Sequence, residues 1–197
     1  MIVSRRSFIG SAAAAGAALA FARPAFASAG PFSLLARART ELDRRGATIP
    51  LHDTVGIADF SAASDVPRFH LLDMANGSVS SFLVAHGRGS DPMHSGWLQS
   101  FSNDTGSYAS SQGAFRTADY YEGAHGRSMR LIGLDPTNNN AEPRAIVVHG
   151  AWYVSGDMIR DHGKIGRSEG CFAVAETDLD IVLRRLGPNR LLISAKL

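Results

Sequence analysis

The chain has 197 residues, 45% hydrophobic and 19% charged, enough for one globular core, too few for two of ordinary size, and unlike the composition of disordered chains. Its formal charge of +2 comes from the first 27 residues, which hold Arg5, Arg6 and Arg23 and no Asp or Glu; the remainder has 17 basic against 18 acidic residues, a net −1. Bulk charge therefore excludes a polyanion-binding protein, and no nucleic-acid partner is expected.

In chain order, a short polar start surrounds Arg5-Arg6. A run of small apolar residues from Ser11 to Ala22 follows, then Arg23-Pro24 and an A-x-A site at Ala25-Phe26-Ala27. This is the pattern of a twin-arginine export signal, cut after Ala27 or two residues later. The apolar run is about 12 Ala/Gly-rich residues, against the roughly 20 that a spanning helix needs, so no stable membrane anchor is expected. The expected location is the periplasm or the cell-wall surface. Cysteines in such compartments usually pair, yet the chain has one, Cys171. An inert core thiol and a catalytic thiolate are the two readings of it.

Leu34, Leu35, Ala38 and Leu42 recur at helical spacing between Phe32 and Arg45, and Gly46 ends the pattern. From Val55 onward, short apolar runs divided by Gly, Ser, Asn and Pro predict strands. Phe69 to Ala75 and Ser78 to Ala85 flank an Asn76-Gly77 hairpin turn. Gly96 to Phe115 and Asp135 to Arg144 predict loops, while Met129 to Leu134 and Ala145 to Val148 predict strands. Thr177 is expected to cap a helix from Asp178 to Leu186 that Gly187-Pro188 stops, and Arg190 to Ala195 a closing strand. The expected organisation is a signal peptide (1–27), an N-terminal helix and linker (28–53), and one mainly β domain with a few short helices (54–197).

The strand Ile146-Val147-Val148 runs into His149-Gly150, so its apolar residues can pack inward while the imidazole emerges at the strand end. Downstream stands Gly166-Arg167-Ser168-Glu169-Gly170-Cys171. A thiol nucleophile needs a base or cation to become thiolate near neutral pH, and the base needs a partner that sets its tautomer. His149 can be that base, and the Gly150 carbonyl can orient it. The amides of Gly170 and Cys171 can face a developing oxyanion, worth about 3 to 4 kcal/mol in comparable sites. Arg160, His162, Lys164 and Arg167 bring positive charge to the same stretch, which would stabilise a thiolate and attract a carboxylate. His125 either lines the cleft near His149 or is structural. Tyr120, Tyr121, Trp152 and Tyr153 either wall a peptide cleft or belong to the core.

Seven histidines invite a metal reading, but no H-x-x-x-H or H-E-x-x-H pair is present, and no metal site is expected. Ser102, Ser110 and Ser111 lie in a hydroxyl-rich stretch without a G-x-S-x-G elbow and read as turn residues. A papain-like order, cysteine before histidine, is absent as well.

These residues resemble the L,D-transpeptidase (YkuD-like) family of peptidoglycan cross-linking enzymes, whose signature is an upstream H-G and a glycine-bearing loop ending S-H-G-C. His149-Gly150, Ser168, Gly170 and Cys171 match it in order. His86-Gly87-Arg88-Gly89-Ser90, Phe101-Ser102-Asn103, Ser110 to Phe115, Tyr121-Glu122-Gly123, Gly133-Leu134-Asp135 and Arg144 to His149 look like its murein L,D-transpeptidase catalytic-domain branch. The resemblance spans residues 54–197 and implies a β-sandwich or barrel fold. It also implies that Cys171 attacks a stem-tetrapeptide amide, expels the terminal D-alanine and forms a thioester. His149 takes the thiol proton and later activates an acceptor amine, giving a 3→3 cross-link, or water, giving L,D-carboxypeptidase activity. The implied partners are peptidoglycan stem peptides, with carbapenem β-lactams as inhibitors; no cofactor is implied. Gly170, Gly150 and Ser168 would serve the oxyanion or orient the site, and Arg167, His125 and Tyr121 would contact substrate. Two positions depart from the pattern: Glu169 stands for the second histidine of S-H-G-C, and Ala173 for an arginine that many members carry. Arg167 is the candidate replacement for that arginine, or else a loop-stabilising residue. Glu169 supports an alternative, a peptidoglycan-binding protein of the same fold without turnover, because a carboxylate beside the thiol raises its pKa.

Overall fold

The computed structural model describes residues 30–197, and the export-signal reading of residues 1–27 lies outside the described residues. Their elements run α1 (Pro31–Arg45), β1 (Thr54–Asp59), β2 (Phe69–Asp73), β3 (Val79–Phe82), β4 (Val84–Ala85), β5 (Gly113–Gly123) and β6 (Gly126–Gly133). After them come β7 (Val147–Gly150), α2 (Gly156–His162), β8 (Phe172–Val174), α3 (Glu176–Leu186) and β9 (Leu191–Ala195). The domain is mainly β with a few helices. Among the described residues no helix is long and apolar enough to cross a membrane.

All nine strands form one sheet in the order β3-β2-β1-β9-β5-β6-β7-β8-β4. The β1–β9 and β7–β8 pairs are parallel and the others antiparallel. β3 and β4 occupy opposite edges of that order, yet Leu83 alone separates them in the chain. The sheet therefore curls until its two edges meet. The β2–β3 turn follows from its residues: the Asp73 carboxylate accepts from the Ala75 and Asn76 amides, and Gly77 takes φ +76°, a conformation glycine adopts without a Cβ clash.

Period-two alternation divides the central strands between two cores. Val55, Ile57, Leu191 and Ile193 face Leu34, Ala38 and Leu42 of α1. Leu192, on the opposite face of β9, packs with Val182, Leu183 and Leu186 of α3. Each fully buried Leu, Ile or Val of these faces contributes about 1.5 to 3 kcal/mol relative to exposure. α1 is also latched by charge: Arg45 Nη2 donates to both oxygens of Asp135 at 2.6 and 2.8 Å, and Asp135 Oδ2 accepts from the Ala114 amide at 2.7 Å.

Two local expectations need correction, and one helix, α2, gives no sequence signal. β5 is an 11-residue strand beginning at Gly113, although the expected loop extends to Phe115. Its sequence mixes Arg116, Asp119 and Glu122 with aromatics, and a register shift between Thr117 and Tyr120 breaks the alternation. α2 gives no apolar period because none of its residues is buried; its ends are set locally by Ser155, whose Oγ accepts from the Met158 amide, and by Gly163 at φ +67°. α3 begins at Glu176 with Ala175 as N-cap and no side-chain cap, so Thr177 lies inside the first turn. Glu176 and Asp178 offset the positive end of that helix instead.

Candidate active site

The β7–β8 register brings the histidine to the cysteine. In this parallel pair Val148 stands beside Phe172, and His149 beside Ala173. Val148, Phe172 and Val174 point into the main core, so the alternate residues face the other way. One step back along the same register, Cys171 falls beside Val147, on the face that also carries His149. Both side chains line one cleft of about 610 Å³, together with Tyr108, Tyr121, His125, Arg144, Tyr153 and the Arg167-Ser168-Glu169 stretch.

His149 is 2% exposed. Its Nδ1 lies 2.8 Å from the Gly150 carbonyl oxygen, which requires that nitrogen to carry the proton and leaves Nε2 with the lone pair. Burial holds the imidazole below its ordinary pKa; the Gly150 carbonyl opposes this and His125 reinforces it. The His125 ring stacks on His149 with centroids 4.3 Å apart and planes 20° from parallel.

Cys171 is half-buried and its thiol donates to the Ala145 carbonyl at 3.5 Å. Ala145 holds φ +52°, a left-handed conformation that a non-glycine residue adopts at a cost of about 1 kcal/mol. Burial pushes the thiol pKa up, and the Glu169 carboxylate adds to the rise. The Val147 amide, the Arg144 guanidinium and the cysteine's own amide pull it down without cancelling the effect. Both shifts favour a neutral thiol beside a neutral imidazole over a preformed ion pair.

The nucleophile loop is stapled from behind. Ser168 Oγ accepts from the Gly170 amide at 3.2 Å and donates to the Cys171 carbonyl at 2.7 Å. The Ser168 amide donates to the His86 carbonyl, and the Arg88 amide to the Ser168 carbonyl. Ser110, fully buried, donates from Oγ to the Gly170 carbonyl and accepts there from the Gly87 amide. The Gly170 amide is consequently engaged by Ser168, and Gly170 lies behind the cleft wall. Its place needs glycine: φ is +119°, and a Cβ would stand 2.8 Å from the Ala109 carbonyl oxygen and 2.8 Å from Ile146 Cδ1. Under this loop Arg68 is fully buried, donating to Ala62 O, Val84 O and His86 Nδ1.

Of the four cations expected around the thiol, only Arg167 lines the cleft, and its Nη1 donates to the Asp91 and Pro92 carbonyls. Arg160 pairs with Asp157 and Asp161 on the exposed face of α2, His162 ends that helix, and Lys164 Nζ donates to the His94 carbonyl. The turn into α2 carries them away from the thiol. The cation that acts on Cys171 is Arg144, held by Ser102 O, Ser111 Oγ, Ser107 Oγ and Ala109 O. Its sequence signal is weak, a single arginine before the strand that ends in His149. Tyr121 and Tyr153 wall the cleft, whereas Tyr120 donates to the Leu183 carbonyl and Trp152 lies outside it, 71% exposed. Ser110 and Ser111 are buried as loop ties.

Several solved structures align with part of the chain. They include an L,D-transpeptidase from Mycobacterium smegmatis, at 12% identity and TM-score 0.42 over 72% of this chain and 58% of that one. L,D-transpeptidase 3 from Mycobacterium tuberculosis, in complex with a faropenem-derived adduct, is 11% identical at TM-score 0.46 over 73% and 60%. An Enterococcus faecium L,D-transpeptidase is 11% identical at TM-score 0.43 over 72% and 49%. The chain thus spans from about half to three fifths of the length of these proteins. No curated protein matches it. The model of the L,D-transpeptidase catalytic domain, by contrast, matches residues 29–194, taking in α1, the sheet and the Cys171 cleft. The chain belongs to the L,D-transpeptidase catalytic-domain family.

Proposed function

We propose that the protein catalyses cysteine-dependent acyl transfer on peptidoglycan stem peptides, with Cys171 as nucleophile and His149 as base. The observation that carries this reading is the register of β7 and β8, which sets the thiol and the imidazole on one face of the sheet while Gly150 fixes the histidine tautomer. His149 Nε2 takes the thiol proton as sulfur bonds to the amide carbon of a tetrapeptide donor. The Cys171 amide steadies the oxyanion that forms, since the Gly170 amide is held by Ser168. Collapse breaks the carbon–nitrogen bond, His149 returns its proton to the leaving D-alanine amine, and a thioester remains on Cys171. An acceptor amine or water then takes the acyl group by the reverse steps. The lowered imidazole and raised thiol both favour the neutral pair that this general-base route starts from. Arg167, His125 and Tyr121 are the substrate contacts of the reading, and the strained amide of a carbapenem is a second electrophile for the same thiol. We further propose that residues 1–27 direct the chain to the periplasm or cell surface.

Glu169, which lines the same cleft as Cys171 and adds to the rise of its thiol, favours one other reading, a wall-binding protein without turnover. Mass spectrometry of disaccharide-tetrapeptide muropeptide incubated with the protein, with Cys171→Ala as control, decides between them. Cysteine-dependent loss of D-alanine is expected, with a cross-linked dimer marking transpeptidation and tripeptide alone marking carboxypeptidation. Retention of the muropeptide on the protein with no change in its mass, in both forms, would leave the binding reading.

A further inference from the structure

The β5–β6 hairpin ends in the tight turn Gly123-Ala124-His125-Gly126, with Gly123 and Gly126 paired and Gly126 at φ +69°. Its arm is pinned to α3: Tyr120 Oη donates to the Leu183 carbonyl at 2.8 Å, Arg127 Nη1 pairs with Asp180 at 3.3 Å, and the Arg127 guanidinium lies over the Tyr120 ring. A second cation stack, Arg130 over Tyr121 at 4.2 Å, stiffens the same arm. The turn residues are exposed while His149 beneath them is 2% exposed. An anchored hairpin thus delivers one imidazole face onto another at 4.3 Å.

We propose that His125 is a positioning residue for His149, its ring capping the imidazole, holding its plane and closing it from solvent on the cleft side. This rests on the reading of His149 as base, and it gives His125 a role that needs no contact with substrate. Two fixed points then define the His149 ring, the Gly150 carbonyl on Nδ1 and the His125 stack on its face. The cap also acts electrostatically. Covering the ring disfavours imidazolium, and a protonated His125 at stacking distance disfavours it further. Both keep His149 free to accept a proton at mildly acid pH. The other charged or titratable groups that line the cleft with His149 are Cys171, Glu169 and Arg167 of the nucleophile loop, Arg144 before β7, Tyr153 after it, Tyr121 on β5 and Tyr108. On the α3 side Glu176 packs against Gly150. After burial, His125 is the group among these that lowers the basicity of His149.

The test follows the imidazole resonances of His149 by NMR across pH in the full chain with labelled histidine, in wild type, His125→Ala and His125→Phe. His125→Ala removes cover and charge and is expected to raise the His149 midpoint by about half a pH unit or more. His125→Phe keeps the cover, removes the charge, and is expected to raise it by less. The acid limb of Cys171 alkylation by iodoacetamide, a small neutral reagent, should move up in parallel. Equal midpoints in all three forms would overturn the proposal. The titration reads the contact whether or not Cys171 turns over, so a wild type that releases no D-alanine, with the shift present in its His125 variants, supports the cap and overturns the acyl-transfer reading alone.

Discussion

Glu169 accepts a hydrogen bond from Arg88 Nη2 at 2.9 Å, and Arg88 in turn lies over the Tyr108 ring at 3.8 Å from its centroid. The carboxylate that replaces the family's histidine is therefore paired at the cleft rim, which moderates the charge it presents to Cys171. Glu169→Gln removes a negative charge that raises the thiol pKa, so alkylation of Cys171 near neutral pH should quicken, by about two- to threefold for a solvent-screened charge. Arg88→Ala leaves Glu169 unpaired and should slow it. The pH dependence of iodoacetamide labelling reads both variants, and the opposite order would show that Glu169 does not act on the thiol through charge.

Arg144 joins stability to reactivity. Its guanidinium serves two carbonyls and two hydroxyls from residues 102–111, and its charge lowers the Cys171 pKa. Arg144→Ala should cost about 2 to 4 kcal/mol in urea unfolding, since partners at buried carbonyls are lost, and should slow thiol alkylation. Arg144→Lys keeps the charge but lacks the planar fork. It should recover part of the thiol reactivity and little of the stability.

His86 sets an acid limit on the fold. Burial and the neighbouring Arg68 push its pKa from the ordinary 6.5 down to about 3. The folded state thus binds fewer protons than the unfolded one below pH 6.5, so its stabilisation is complete above that pH and is lost as the pH falls toward 3. The loss amounts to on the order of 4 kcal/mol by the lower end of that window. His86→Gln, able to accept from Arg68 and donate toward Asp91, should flatten the stability profile between pH 6.5 and 4. Urea unfolding across that range measures the slope, and an unchanged slope in the variant would assign the acid lability elsewhere.

Gly170→Ala combines a left-handed backbone with two contacts at 2.8 Å, one of them to the backbone oxygen of Ala109. The loop must shift to admit the methyl group, at a cost of about 2 kcal/mol or more. The shift would move Cys171 with it, so acylation should fall more than stability. Comparing thermal unfolding with the rate of β-lactam adduct formation by intact mass separates the two effects.

His149-Gly150 and Ser168 to Cys171 could be found in the sequence because each is a contiguous string at a strand end, where local order fixes what the residues can do. Tyr121 and His125 are tied to the cleft by the family resemblance and not by their own pattern, since the long hairpin that carries them, β5 with β6, is not announced by its residues. Arg144 could not, since what makes it matter is four acceptors between Ser102 and Ser111, a set that forms only when a long loop folds across the sheet. The misplaced cations of residues 160–164 have the same origin: proximity in sequence to Cys171 was outweighed by the turn of α2, a helix with no buried face to announce it. β5 was hidden by its charged residues and the break in its alternation, whereas β2, β3 and the Asn76-Gly77 turn carry their signals within a few residues.

The position of β9 governs how such a chain can be made. β9 sits between β1 and β5 in the sheet, so residues 191–195 join strands whose partners lie about 80 to 140 positions earlier. Pairings of such long range are slow to form because loop closure precedes any gain from contact. A nascent chain halted before Leu191 would hold β1 and β5 with open edges facing each other, a form that invites chaperones or self-association rather than a docked half-domain. The cleft depends on that last insertion too, since β5 carries the hairpin that reaches His149.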